Sequence, residues 1–93
     1  MITIEVDSDT TQEKGFRDFY LHIRENGIMK YYSSFYQDEE NNTFTELYLE
    51  EVTVKDGESI YTEISRENIP AKILEKIESK RTLLIAKYKR KLK

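Results

Sequence analysis

The chain has 93 residues, 38% hydrophobic and 35% charged, with seven Tyr, four Phe and a net charge of −3. That length suits one domain spanning 1–93 with one core, and such aromatic content sets it apart from disordered chains. With no cysteine, disulfides, thiolate metal sites and thiol chemistry are excluded, which fits a reducing, cytoplasmic setting.

Residues 2–6 alternate, so Ile2, Ile4 and Val6 share one face of a predicted strand. Neither a signal peptide nor the roughly 18 apolar residues of a membrane span is expected. The polar run Asp7 to Lys14 is predicted to end the strand. Residues 15–26 admit two readings. Thr10-Thr11-Gln12-Glu13 has the form of a capping box, and Phe16, Phe19, Tyr20 and Ile23 follow at helical spacing. Alternatively Phe19, Leu21 and Ile23 are one face of a strand, and Asn26-Gly27 is a type I′ hairpin turn. The hairpin explains both glycines, Gly15 and Gly27, and is preferred.

Residues 28–36 are aromatic and predicted to be a strand, with Met29, Tyr31 and Phe35 on one face and Tyr32 and Tyr36 on the other. A polar turn follows over Gln37 to Asn42. In the next strand, 43–54, Phe44, Tyr48, Val52 and Val54 have one parity and Leu47 and Leu49 the other. A bulge, or two covered faces, would reconcile them. Lys55-Asp56-Gly57 is a turn signal, and residues 58–65 close a hairpin with Ile60 and Ile64 opposite in parity to Tyr61. A helix is predicted after Arg66, capped by Asn68, with Pro70 in its first turn and Ile69, Ile73, Leu74 and Ile77 along one side. It either continues through Leu84, Ile85, Tyr88 and Leu92 or breaks near 79–82 before an edge strand over 83–86. The expected fold is thus α+β and two-layered: an antiparallel β-meander of about four or five strands packed against a C-terminal helix.

Charge divides along the chain. Residues 1–79 hold all 18 acids and eight Lys or Arg, a balance of −10, whereas 80–93 hold seven basic residues and no acid. Chemistry is sparse by comparison. His22 is the only histidine, and no serine has a nucleophile context; a small hydrolase built on His22 ranks third among the functional readings. Asp38-Glu39-Glu40 lacks the pattern of a calcium loop, and the glycines form no phosphate loop, so no metal, cofactor or catalytic residue is predicted and the chain is read as non-enzymatic.

Two surfaces remain. Between Asp38 and Glu67 there are ten carboxylates and only two basic residues, Lys55 and Arg66. Tyr32, Tyr36, Tyr48 and Tyr61 are interleaved with Glu46, Glu50, Glu51 and Glu63, and alternation predicts Glu46 and Glu50 on one face with Glu51 on the other. Tyrosine among carboxylates suits protein binding, because the ring buries area while the hydroxyl stays satisfied. The first reading is therefore an interaction module, such as an inhibitor or regulator that occludes a basic site on a partner protein. The alternative is nucleic-acid binding by the basic segment 80–93, using Lys87, Tyr88, Lys89, Arg90, Lys91 and Lys93. A homodimer is compatible with either; a membrane partner is not expected.

Overall fold

The computed structural model describes residues 1–10, 16–38 and 43–88. Five strands form one antiparallel sheet in sequence order: β1 (Ile2–Thr10), β2 (Phe16–Glu25), β3 (Ile28–Asp38), β4 (Thr43–Lys55) and β5 (Glu58–Glu63). A 3₁₀ turn, Arg66–Asn68, leads into one helix, α1 (Ala71–Tyr88). The two-layer α+β meander expected from the sequence is the fold observed.

The hairpins follow from their turn residues. Asn26 and Gly27 have φ of 51° and 82°, and Asp56 and Gly57 have 53° and 79°. Two successive positive φ values define the type I′ turn, whose twist matches that of the strands it joins. A Cβ at Gly27 would meet nothing within 4 Å, so conformation rather than space selects glycine there.

Residues 16–25 are a strand. Phe19, Leu21 and Ile23 are buried, while Phe16 and Tyr20, members of the rival helical set, have the opposite parity. β1 is longer than its apolar pattern. It pairs with β2 as far as Thr10↔Arg17, because an edge strand needs apolar residues only where the helix layer reaches it. The capping-box segment beyond Thr10, the acidic run from Glu39 to Asn42, and Lys89 to Lys93 with Leu92 lie outside the described residues.

Two bulges reset the alternation. On β3, Ile23 pairs with Tyr31 but Arg24 pairs with Met29, leaving Lys30 as the extra residue. Met29 therefore takes the parity opposite to Tyr31, not the shared face expected. On β4, Ser34 pairs with Tyr48 but Phe35 pairs with Glu46, so Leu47 is the extra residue. This bulge resolves the mixed parity of 43–54. Leu49 is buried, Leu47 is exposed, and Phe44 is separated from Tyr48, Val52 and Val54.

The core lies between one sheet face and α1. Phe19, Leu21, Ile23, Tyr31, Phe35 and Leu49 meet Ile69, Ile73, Ile77 and Leu84, and Phe19 stacks on Phe35 with centroids 4.9 Å apart. The helix is continuous through Tyr88, so the break near 79–82 does not occur. Asn68 does not cap it: its Nδ2 donates to Ser65 Oγ at 3.0 Å within the 3₁₀ turn. The carbonyl of Pro70 accepts from Ile73 N and Leu74 N instead, which makes Pro70 the cap position. At about 27 Å, α1 is shorter than β4 at about 43 Å, so the helix side of the β4–β5 tip is uncovered and Ile60 is exposed.

The apolar stripe of α1 contains one charge. Arg81 follows Ile77 by one turn and is 6% exposed. Its guanidinium bonds Glu46 and lies 5.6 Å and 5.2 Å from the ring centroids of Phe35 and Phe44. Arg66 Nη1 reaches the same Glu46 oxygen at 2.8 Å, and its Nη2 bonds Glu78. Removing one partner of a buried pair leaves the other charge uncompensated, at about 3–5 kcal/mol for a fully buried pair. Since the Glu46 side chain is 27% exposed, Glu46→Ala is expected to lower stability by about 2 kcal/mol in urea denaturation. Glu46→Ala with Arg81→Leu is expected to recover most of that loss, because Leu completes the stripe.

Candidate binding face

Among the described residues, no layer covers the sheet face away from α1. Register assigns its residues. From β1 come Glu5, Asp7 and Asp9; from β2, Phe16, Asp18, Tyr20, His22 and Arg24; from β3, Tyr32, Ser34, Tyr36 and Asp38; from β4, Tyr48, Glu50, Val52 and Val54; and from β5, Tyr61 and Glu63.

Aromatic contacts tie the strands together. Tyr32 meets Tyr61 edge-on at 5.9 Å and lies 5.4 Å from the His22 ring, while Phe16 lies 5.8 Å from Tyr36. Val52 is only 4% exposed although no helix covers it; it pairs with Tyr61 and lies diagonal to Tyr32. These rings give an open sheet its own thin apolar layer, with hydroxyls at the water boundary. Tyr48 and Tyr61 are the most accessible, at 59% and 47%.

The face is also acidic. Glu5, Asp7, Asp9, Asp18, Asp38, Glu50 and Glu63 share its parity with one regular-register cation, Arg24, whose Nε lies 2.6 Å from Glu5. His22 Nε2 lies 3.4 Å from Asp7. Burial, then Asp18 and Asp9, push the Tyr20 hydroxyl above its ordinary pKa. Burial likewise raises Tyr32, opposed by a hydrogen bond with Ser34 and reinforced by Tyr20, Glu50 and Tyr61. Lys72, Lys76, Lys80 and Lys87 are on α1, behind the sheet. The open face is thus predominantly acidic, while α1 carries these lysines alongside Glu75 and Glu78.

The bulge at Leu47 revises the expected site. Tyr32, Tyr36, Tyr48, Tyr61, Glu50 and Glu63 come together on the open face. Glu51 has the opposite, helix-side parity expected of it, and the bulge gives Glu46 that parity too, so Glu46 and Glu50 are on opposite faces rather than sharing one. Glu46 is held by Arg66 and Arg81, and Glu51 raises the Tyr31 hydroxyl after burial itself. Of the basic segment, Lys80 and Lys87 are on the helix, Arg81 turns inward, and Lys89, Arg90, Lys91 and Lys93 fall outside the described residues, as does the side chain of Tyr88. The sequence reading missed Phe16, Tyr20, Asp18, Asp7 and Asp9. The usable signal was the alternation Phe16, Asp18, Tyr20, His22, once residues 16–25 are read as a strand.

Among the described residues no group of three or more His, Asp or Glu is placed to hold a metal ion, and no helix is long and apolar enough to cross a membrane. Searches of family models, curated proteins and solved structures find no match to the chain.

The raised tyrosines predict an alkaline stability limit. A folded pKa above the unfolded value favours the protonated native state, so its contribution is complete below pH 10.0, the ordinary value, and is lost as pH rises through the folded pKa. Absorbance titration is expected to show a late-ionising tyrosine class, and Glu50→Gln to move Tyr32 downward.

Proposed function

We propose that the chain is a non-enzymatic binding module that docks its open sheet face on a cationic site of a partner protein and occludes it. The supporting observation is the coincidence, on one face that no described element covers, of seven carboxylates with five tyrosines, of which Tyr32 and Tyr61 are in ring contact. The rings supply burial on docking, with Tyr48 and Tyr61 as the accessible anchors. Asp7, Asp18, Glu50 and Glu63 supply steering, since complementary charge mainly accelerates encounter and rejects wrong partners. The same face repels a phosphate backbone, which favours a protein partner over nucleic acid.

The test is capture from a host extract on the immobilised chain, followed by reconstitution with the purified partner. A basic protein is expected to bind directly, to elute with salt, and to be lost on Glu50→Lys with Glu63→Lys. Tyr61→Ala is expected to weaken binding by about tenfold, the scale of an interface anchor. Equal retention by wild type and the charge-reversed variant, or retention of nucleic acid alone, would refute the proposal.

A further inference from the structure

A second surface lies at the opposite side of the molecule from β5. β1 is an edge strand, and between it and α1 runs a groove of about 490 Å³ lined by Ile2, Ile4, Lys72, Glu75, Lys76, Ser79, Lys80 and Leu83. Its floor is apolar, and on its helical wall three lysines outnumber the one acid, Glu75.

The ladder phase fixes what the edge offers. Asn26 N donates to Met1 O at 3.0 Å, and Met1 stands opposite Asn26 in the register that pairs Ile2 with Glu25. Hydrogen-bonded and non-hydrogen-bonded pairs alternate in an antiparallel ladder. Thr3, Glu5 and Asp7 therefore bond inward to β2, and the amides and carbonyls of Ile2, Ile4 and Val6 point out of the sheet. The residues with outward backbone groups are those whose side chains face the helix layer.

We propose that this groove receives an extended protein segment that adds to β1 as a further antiparallel strand, with carboxylates toward α1 and cations toward the open face. Lys72, Lys76 and Lys80 recur every four residues, about 6 Å apart along the helix. Alternate side chains of an extended strand recur about every 6.8 Å. The two repeats differ by less than about 1 Å per step, which is within the reach of a lysine side chain. In an antiparallel pair, residues directly opposite share a face, so a residue that bonds to Ile4 also directs its side chain at the lysine row. The intervening residues come beside Glu5 and Asp7, where cations are favoured. A second copy of β1 is a poor occupant, because it would add Glu5, Asp7 and Asp9 to a side that already carries them.

The test is fluorescence anisotropy of the full chain with three labelled peptides of about six residues, enough to span the groove: one alternating Glu and Lys, one of the same composition with the charges in two blocks, and the alternating one N-methylated at every Glu. The alternating peptide is expected to bind saturably and to protect the Ile4 and Val6 amides from hydrogen exchange. The block and N-methylated peptides are expected to bind at least about tenfold more weakly, as is the alternating peptide to a Lys72→Glu, Lys76→Glu, Lys80→Glu variant whose unfolding remains cooperative. Equal binding of all three peptides, unprotected β1 amides, no saturable binding, or a β1-mediated dimer that excludes the peptide would each overturn the proposal.

Discussion

The bond between Arg81 and Glu46 decides more of this structure than its size suggests. An arginine in the apolar stripe of α1 can be buried only if an acid meets it from the sheet. In an unbroken β4, Glu46 would share parity with Tyr48 and Glu50 and face away from the helix. The extra residue at Leu47 turns Glu46 inward while leaving Leu49 in the core and Tyr48, Glu50 and Val52 on the open side. One bulge therefore satisfies a buried cation and composes the exposed face at once. Phe35 and Phe44 flank the guanidinium, and Arg66 links the same carboxylate to Glu78 on the helix. The network joins the sheet, the 3₁₀ turn and α1.

With Glu46 neutralised inside, acids predominate on the open face and basic residues outnumber acids on α1. The open face retains carboxylates on every strand, and α1 carries the lysines. This sorting resists random collapse of one copy onto another, since like faces repel and edges bearing Glu5, Asp7 and Asp9 are poor partners for their own kind. It also means that the two proposed docking surfaces would take ligands of different pattern. The open face suits a cationic surface. The β1 groove suits a strand whose charge alternates.

Much of the fold is legible from local chemistry. Asn26-Gly27 between alternating segments specifies a hairpin, and Asp56-Gly57 specifies another, because few residue pairs tolerate two positive φ values. The apolar stripe from Ile69 to Ile77 specifies a helix. The site is legible only in part, for a reason of parity. Alternation identifies faces until a bulge intervenes, and the mixed pattern of Phe44, Leu47, Tyr48 and Leu49 reveals a bulge without revealing its position. Locating it required knowing that Arg81 is buried, and a charged residue within a helical stripe ordinarily reads as solvent-facing. The extension of β1 was hidden for a related reason. Asp7, Ser8 and Asp9 carry no strand signal of their own and are held by pairing with β2.

The composition of the open face also limits the kind of complex it can form. A sheet left uncovered must shield its own backbone, and Phe or Ile in every such position would create a patch prone to self-association. Tyr20, Tyr32, Tyr36, Tyr48 and Tyr61 supply comparable ring area with a polar tip. The carboxylates between them raise the desolvation cost of any neutral or acidic partner. In the proposed complex a cationic partner would offset that cost by pairing with them, the acids acting chiefly as a filter and the rings as the adhesive. Such a face favours selective, salt-sensitive contacts over a permanent hydrophobic interface, and that character follows from which side of β4 the bulge assigns to Glu46.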